Sequence, residues 1–394
     1  MKERGRGRRP AAAGWVGAAS FLLIGWAGLI VPSVIRQVQD TFDQSDAGLG
    51  VFYFLFAAAW AGGSFGGGFL TERLGRRRVL TLGGVLAGIG FSGLGVAPSW
   101  AAFLGLAVPA GLGAGLLDGG GNGLFLDLYP TARGRALNLL HLFFSIGALA
   151  APVTIGLLVE SGVPWQLILV ATGVAGAPIA ALYAIVPMPG GHRTPAAGPP
   201  GEVAATERGT ATRLSAPLLL LALAIACYVA SEVGVSSWLV RFLEPAPLAT
   251  ATLALTLYWA GIAVGRLVSA RYADRFDHRR FTLVCALALG AALIGAVLVP
   301  SLPISIGLFA LSGVASGPIF PMIVALGGER YPDRSAAVSG FLGGTAVSGS
   351  IIYPPVMGFM SVSVGLTVAM LGNAVLALAA AGALVMVGRS TRAE

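Results

Sequence analysis

The sequence predicts an all-α membrane protein with twelve transmembrane helices arranged as two six-helix bundles. Hydrophobic residues make up 56% of the 394 residues and charged residues only 11%, whereas soluble domains are roughly 25% charged. The mean hydropathy is +0.83. Apolar segments of membrane-spanning length recur along the chain, and the second half of the sequence repeats the first. The segments and the repeat together predict the two bundles.

The apolar segments are about 20 to 28 residues long, which at about 1.5 Å per residue is enough to cross a hydrocarbon core of about 30 Å. Long uninterrupted segments favour helices over the short alternating strands of a barrel. Prolines at 318, 321, 354 and 355 are predicted to interrupt backbone hydrogen bonds in the last spans. The predicted spans are residues 11–36, 47–70, 79–97, 101–128, 135–159, 164–187, 216–243, 248–272, 281–300, 302–328, 336–360 and 362–387.

The basic residues predict the orientation of the chain. When alternate connections are placed on one side, all but Arg36, Arg241 and Arg266 of the 25 lysines and arginines fall on the side of the two termini. By the positive-inside rule both termini are cytoplasmic, and the protein is a multi-pass protein of the cell membrane. The net charge of +8 is therefore interpreted as a topology signal. We expect membrane lipid around the protein and no nucleic-acid partner.

An internal repeat relates the two halves at a constant offset of 202 residues, as from Gly111 to Gly313 and from Asp127 to Glu329. Parallel repeats of this kind place a substrate near the membrane midplane between halves that rock about it. The segment between them is rich in Pro and Gly, which favours a flexible cytoplasmic linker. A single chain supplies both halves, so we expect a monomer. The predicted divisions are residues 1–187, the linker 188–215, and residues 216–394.

A charged motif follows the second span in each half. The segment from Gly68 to Arg78, GFLTERLGRRR, resembles the loop between helices 2 and 3 of the major facilitator superfamily, and the segment from Asp274 to Arg280, DRFDHRR, is its second-half counterpart. The resemblance implies the fold of that superfamily and charges that pair across the cytoplasmic face when it closes. Arg73 is expected to pair with Asp127, and Arg275 with Glu329. The gating residues implied are Glu72, Arg73, Asp127, Arg133, Asp274, Arg275, Glu329 and Arg334.

Within that superfamily the chain resembles the fucose:proton symporter branch. The likeness is carried by Asp118-Gly-Gly-Gly-Asn122 in the fourth span and by segments around His141, Glu232 and Trp259. It implies symport of a sugar or similar small polar solute with a proton. Fucose symporters have a second acid in helix 1, but the first span of this chain has none. Glu232, in the seventh span, is interpreted as its replacement.

Asp118 is the leading candidate for proton coupling, with Glu232 second. A carboxyl group within the hydrocarbon region is costly and is retained where it faces a cavity or a partner. Removal from water also makes such a group bind a proton more readily. The alternative is a structural acid bonded to Asn122 or to backbone. Glycines on both sides of Asp118 are expected to let neighbouring helices approach closely.

The predicted substrate-binding residues combine hydrogen-bonding groups with aromatic rings. A histidine can relay a proton or bond a hydroxyl, and flat sugar rings stack on aromatic side chains. Packing, or anchoring at the membrane interface, is the alternative for the histidine and the rings. The predicted set is Asp118, Asn122, Asn138, His141, Tyr228, Glu232, Trp26, Tyr53, Trp259, Phe320 and Tyr353.

Other functions are weighed against symport. The same acid would serve a proton-driven exporter of drug-like or lipidic compounds, and a non-transporting sensor is a further alternative. An enzyme would need a catalytic or metal cluster. The sequence has three histidines, only one of them in a predicted span. Cys227 and Cys285 fit no metal or disulfide spacing, so we predict no catalytic residues, no metal site and no cofactor.

Overall fold

The computed structural model describes residues 8–188 and 215–390, and within these residues the chain forms helices and no strand. Residues 189–214 of the predicted linker and the two extreme ends lie outside the described residues. The helices are α1 Arg8–Gly28, α2 Ile30–Ser33, α3 Ile35–Phe42, α4 Asp46–Leu74, α5 Arg76–Val96, α6 Trp100–Leu128, α7 Arg133–Glu160, α8 Trp165–Ile185, α9 Ala216–Phe242, α10 Leu248–Tyr272, α11 His278–Leu298, α12 Leu302–Ser316, α13 Ile319–Arg330, α14 Ser335–Val364 and α15 Leu366–Ser390.

The twelve predicted spans are confirmed, because twelve segments of the described chain are long and apolar enough to cross a membrane. Their ends differ from the prediction in places. The first span bends at Leu29 and Val34, so that it comprises α1 and α2, and the short helix α3 then continues to Phe42. The tenth span breaks between α12 and α13, where Gly317 precedes Pro318. Pro318 lacks the N–H that would continue the ladder, as the sequence predicted.

The eleventh span departs from its prediction. Pro354 and Pro355 lie inside the continuous helix α14, which runs on to Val364. Gly365 ends this helix with a φ of 93°, a left-handed conformation that glycine adopts without steric cost. The twelfth span therefore begins at Leu366, four residues after its predicted start. Hydropathy did not locate this boundary because both spans are apolar on either side of the glycine.

The two halves pack their helices in the same way, as a parallel repeat requires. In the first half α4 packs on α6, α5 on α6 and α8, and α1 on α7. The second half repeats these contacts with α10 on α12, α11 on α12 and α15, and α9 on α14. Between the halves α4 packs against α14, and α7 against α10. The central space is therefore bounded by helices from both halves.

A stripe of glycines brings α6 against α4. A Cβ added at Gly111, Gly115 or Gly119 would lie 2.0 to 2.5 Å from backbone oxygens of α4. The second half repeats the arrangement, since a Cβ at Gly313 would lie 2.1 Å from the Tyr258 carbonyl oxygen on α10. This confirms the predicted close approach of helices. The stripe fixes where the α4 side chains lie relative to Asp118.

We expect Gly115→Ala to destabilise the protein by about 1–3 kcal/mol, the usual cost of overpacking a tight contact. The new methyl group would meet the Trp60 carbonyl oxygen at 2.0 Å, and backbone cannot rotate away as a side chain can. Thermal unfolding in detergent should show a lower midpoint.

Gly105→Ala is the matched control on the same helix, because a Cβ there meets nothing within 4 Å. It should leave the midpoint unchanged or raise it, since alanine is the better helix former. Equal midpoints for both variants would contradict the close contact between α4 and α6.

Candidate functional site

A cavity of about 310 Å³ lies between the two halves and contains Asp118. The first half contributes residues of α1, α2, α4, α5, α6 and α7, and the second half residues of α9, α10 and α14. Most of the lining is apolar or aromatic. The lining residues are Gly25, Ala27, Gly28, Leu29, Val31, Pro32, Phe52, Tyr53, Phe56, Ala57, Trp60, Ala61, Ser64, Phe65, Phe91, Asp118, Phe144, Ala148, Val233, Ser236, Ser237, Trp259, Val347, Ser350 and Pro354.

The carboxylate of Asp118 accepts three hydrogen bonds. Trp60 donates through Nε1 to Oδ2 at 3.2 Å, and Ser64 through Oγ to the same oxygen at 3.4 Å. Asn122 donates through Nδ2 to Oδ1 at 2.9 Å from one turn farther along α6. These donors can hold a charged carboxylate in an otherwise apolar setting. Asp118 thus has the hydrogen bond from Asn122 that the structural alternative predicted, and it also lies on the cavity wall.

Glu232 lies on α9 next to the cavity rather than in its lining. Its carboxylate accepts a hydrogen bond from the hydroxyl of Tyr228, one turn earlier. The hydroxyl of Tyr258 on α10 donates to the Glu232 backbone oxygen at 3.4 Å. Its neighbour Val233 does line the cavity. The structure therefore brings the predicted residues Glu232 and Tyr228 together in one cluster beside the cavity, with Tyr258 as an unpredicted third member.

Some of the other predicted substrate residues lie at the cavity and some do not. Tyr53 and Trp259 line it. Trp26 donates from Nε1 to Thr172 Oγ1 at 3.0 Å, and Tyr353 donates to the Ala369 carbonyl oxygen at 2.9 Å. Phe320 packs against the core. In this conformation these last three side chains bond to or pack against other parts of the protein and do not form part of the cavity lining.

His141 and Asn138 both lie on α7 and are exposed. The imidazole of His141 meets the ring of Phe21 edge-on, with 5.4 Å between ring centroids. His141 is close enough to Asp118 and to Arg266 of the second half to interact with both electrostatically. Neither His141 nor Asn138 is part of the cavity lining.

Sequence reasoning missed Trp60 and Ser64, which hold Asp118, and Ser236, which lines the opposite wall. A signal was present for the first pair. Trp60 and Ser64 are one helical turn apart in an apolar span, so they share a face. Trp60 and Ser64 are four residues apart, as are the glycines 111, 115 and 119 on α6. The other faces of α4 are also mostly apolar, however, so the sequence alone does not show which face of α4 contacts Asp118.

The halves are joined on the side of the membrane opposite the termini. Arg36 of α3 donates to the carbonyl oxygens of Val240 at 2.7 Å, Leu243 at 2.6 Å and Ala246 at 2.8 Å. These oxygens belong to the end of α9 and the turn that follows, where helical carbonyls lack intrahelical partners. The guanidinium of Arg36 thus joins the end of α9 to the first half through three carbonyl oxygens.

Asp46, at the start of α4, forms the second part of this junction. Its carboxylate accepts from Arg241 Nε at 2.9 Å and Gln39 Nε2 at 2.7 Å, and also from the hydroxyl of Ser361 on α14. The Asp46 side chain is only 7% exposed. We name Arg36, Asp46, Arg241 and Ser361 the opposite-side latch. In the sequence, Arg36 and Arg241 stand out only because they lie on the opposite side from most other basic residues, and this position is the one signal for the junction.

The contact between α7 and α10 contains an unusual bridge. The hydroxyl of Thr256 on α10 accepts from the Val153 backbone N–H at 3.1 Å and donates to the Leu149 carbonyl oxygen at 3.3 Å. An α-helix normally joins these two groups directly. Pro152 lies beside them in α7. A side chain of one half therefore bridges a backbone pair of the other, next to a proline.

On the side of the termini, the two predicted acids have partners other than those predicted. Asp127 forms an ion pair with Arg76, and Glu329 is hydrogen-bonded to His278 Nδ1 at 2.6 Å. Arg73 and Arg275, the predicted partners, lie over the rings of Phe69 and Tyr272 at 4.2 and 5.1 Å. The motif places Arg76 at the start of α5 and His278 at the start of α11, each beside the acid that ends the neighbouring helix. The arginines one turn earlier are directed along their own helices instead.

Arg76 and His278 are themselves separated by the repeat offset, so self-comparison held the signal for this pairing. Glu72 and Arg334 are exposed on this side. The side chains of Arg133 and Asp274 lie outside the described residues. The gating role predicted for this set stays a prediction.

Among the described residues no group of three or more His, Cys, Asp or Glu side chains could hold a metal ion. Cys227 and Cys285 are free thiols and pack at the edge of the apolar core.

Comparison with known proteins gives a family match along nearly the whole chain. The model of the Major Facilitator Superfamily matches residues 15–246 and 246–394. The glucose/galactose transporter of Brucella abortus is 25% identical over 380 residues, which cover 89% of this chain and 88% of that protein.

Two solved structures illustrate the shared fold. A bacterial homologue of the human lysosomal transporter Spinster, in its inward-facing and unoccupied conformation, superposes with a TM-score of 0.78 at 17% identity, covering 99% of this chain and 98% of that one. The E. coli fucose:proton symporter superposes with a TM-score of 0.65 at 20% identity, covering 96% and 99%. At these identities the two likenesses concern the fold.

Proposed function

Because this chain belongs to the major facilitator superfamily, a family of membrane transporters and not of enzymes, we propose that it is a secondary active transporter. It moves a sugar or similar small polar solute across the cytoplasmic membrane by alternating access. The solute is carried in symport with protons. One observation carries the proposal. Asp118 lies in the cavity between the two halves, where Trp60, Ser64 and Asn122 donate to its carboxylate. A titratable group at this place can link a proton to the solute beside it.

The coupling follows from the change of charge at Asp118. The ionised carboxylate draws on three donors in a low-dielectric cavity, while the protonated group becomes a donor itself. Protonation therefore changes both the charge and the hydrogen-bonding pattern that a solute meets. Glu232 is the second candidate for this step, since it lies one residue before the lining residue Val233.

The conformation supports alternating access. Several hydrogen bonds between the halves lie in the latch, on the side opposite the termini. If the termini are cytoplasmic, as the arginine distribution predicts, the structure is closed to the outside. In that orientation Arg76–Asp127 and His278–Glu329 lie on the cytoplasmic side, together with the predicted gating residues. The cavity is formed within one chain, which fits a monomer.

Export of drug-like or lipidic compounds by proton antiport is the second candidate. The predominantly apolar lining of the cavity favours it, since pockets for such compounds are largely apolar. The glucose/galactose transporter among the relatives and the buried polar groups of the cavity favour the first candidate.

Reconstituted vesicles distinguish the two candidates. We expect purified protein in liposomes to accumulate labelled D-glucose or D-galactose when a proton gradient points inward, and the accumulation to collapse with a protonophore. Protein-free vesicles are the control. Proton-driven extrusion of lipophilic compounds without any sugar flux would favour the exporter. Binding of a sugar without flux of any kind would contradict both candidates and favour a sensor.

A further inference from the structure

Two polar atoms in the cavity wall of the second half lack a hydrogen-bond partner among the described residues. They are Ser236 Oγ on α9 and Trp259 Nε1 on α10, and both are buried. Both residues line the cavity that contains Asp118, and Ser236 is only 5% exposed. Buried polar groups in folded proteins nearly always have a hydrogen-bond partner. Two buried polar atoms without one, at the same cavity, therefore suggest that a ligand supplies the missing partners.

The hydroxyl of Ser236 departs from the usual behaviour of a helical serine. Such a serine commonly bonds a carbonyl oxygen one turn earlier, as Ser350 does to Val347 at 2.8 Å in the same cavity wall. For Ser236 the carbonyl oxygen four residues earlier, that of Glu232, accepts from the Tyr258 hydroxyl at 3.4 Å. The Ser236 hydroxyl itself bonds no group of the described chain, so it is available to a solute.

The chemistry of the two walls restricts what can fill the space between them. Asp118 on the first half offers a carboxylate acceptor. The indole of Trp259 is a donor only, and the hydroxyl of Ser236 is a donor and an acceptor. A cation could pair with Asp118 but would leave Trp259 unpaired, while an apolar compound would leave both Ser236 and Trp259 unpaired. Hydroxyl groups both donate and accept, so a solute bearing several of them satisfies both walls.

We propose that Ser236 and Trp259 form a hydroxyl-recognition subsite on the second half, which binds oxygen atoms of a neutral polyhydroxylated solute whose other edge lies against Asp118. This inference rests on the proposed function of the same cavity and specifies its substrate class. The cavity volume of about 310 Å³ lies at the lower end of the range of about 300–1,000 Å³ for small-molecule pockets. This size suits a monosaccharide.

Binding measurements on purified protein test the subsite. Titration calorimetry with D-glucose and D-galactose is compared among wild type, Ser236→Ala, Trp259→Phe and the control Ser348→Ala. We expect each of the first two variants to bind the preferred sugar about tenfold more weakly, as loss of one hydrogen bond implies. Ser348→Ala should bind like wild type, since Ser348 lies outside the cavity lining and its hydroxyl donates to the Thr345 carbonyl oxygen within α14 at 2.6 Å.

A series of monodeoxy sugars tests the same subsite in unaltered protein. The analogue that lacks the oxygen facing Trp259 should bind wild type about tenfold more weakly than the parent sugar. Trp259→Phe should bind that analogue and the parent equally, because the lost contact is the same one. If the two changes together weaken binding no more than either change alone, Trp259 contacts that sugar oxygen directly. A general effect of the substitution on packing would instead add to the effect of removing the oxygen.

The outcomes separate the subsite from the transport function. Saturable sugar binding that is unchanged in Ser236→Ala and Trp259→Phe, or uniform across the deoxy series, would overturn the subsite and leave the symporter intact. A wild-type protein that binds no sugar but binds apolar cations would overturn the proposed function and the subsite together.

Discussion

Replacing Asp118 with asparagine is expected to reduce proton-driven sugar accumulation to the background of protein-free vesicles, while exchange of labelled for unlabelled sugar continues. The amide has nearly the shape of the carboxyl group and keeps one oxygen acceptor for Trp60 or Ser64, but it cannot take up a proton at neutral pH. Accumulation needs that proton to be carried with the solute, whereas exchange does not. Uptake and counterflow in the same vesicles measure the two processes.

The control for this substitution is Asp40→Asn, which removes the same charge from an exposed position on α3. It should leave both processes unchanged. Glu232→Gln tests the second candidate in the same assay. If Asp118→Asn still accumulates sugar and Glu232→Gln does not, the proton is assigned to the wrong acid.

Substituting Asp46 with asparagine is expected to open the side opposite the termini. The carboxylate joins Arg241, Gln39 and Ser361, and its loss leaves the Arg241 guanidinium without its buried partner. Breaking a buried ion pair costs about 3–5 kcal/mol. The lower figure applies because 23% of the Arg241 side chain is exposed, so we expect the closed population to fall about a hundredfold relative to the open one.

Glu244→Gln is the matched control, since Glu244 is the other acid bound to Arg241. Its side chain is 57% exposed, and exposed ion pairs contribute about 0–1 kcal/mol. Spin labels at residues 40 and 245, in protein with both native cysteines replaced, report the separation of the halves by electron–electron distance measurement. Equal distance distributions for Asp46→Asn and Glu244→Gln would show that the latch does not hold this side closed.

The membrane architecture could be predicted because hydropathy and the repeat record it directly. An apolar segment of sufficient length must form a helix in lipid, and the spacing from Gly111 to Gly313 identifies two equivalent bundles. Asp118 could be singled out for the same reason, since a carboxyl group in an apolar span is costly. Its hydrogen bond from Asn122 follows from their spacing of one helical turn.

The rest of the site is less visible in the sequence. Helices within a membrane are apolar on all faces, whether a face meets lipid, a neighbouring helix or the cavity. Trp26 and Trp259 therefore look alike as candidates, although the first bonds to Thr172 and the second lines the cavity. Whether Arg73 or Arg76 pairs with Asp127 likewise depends on the geometry of the turn between α4 and α5. That geometry cannot be predicted from the composition of the segment.

The Thr256 bridge bears on how freely the halves can separate. When α10 moves away from α7, the Val153 N–H and the Leu149 carbonyl oxygen lose their contacts with the Thr256 hydroxyl. These two backbone groups are four residues apart in α7, so helix geometry lets them bond to each other. Two hydrogen bonds of Thr256 are then replaced by one within α7, and neither backbone group is left unpaired. The contact between α7 and α10 can thus separate without the cost of burying an unpaired backbone group.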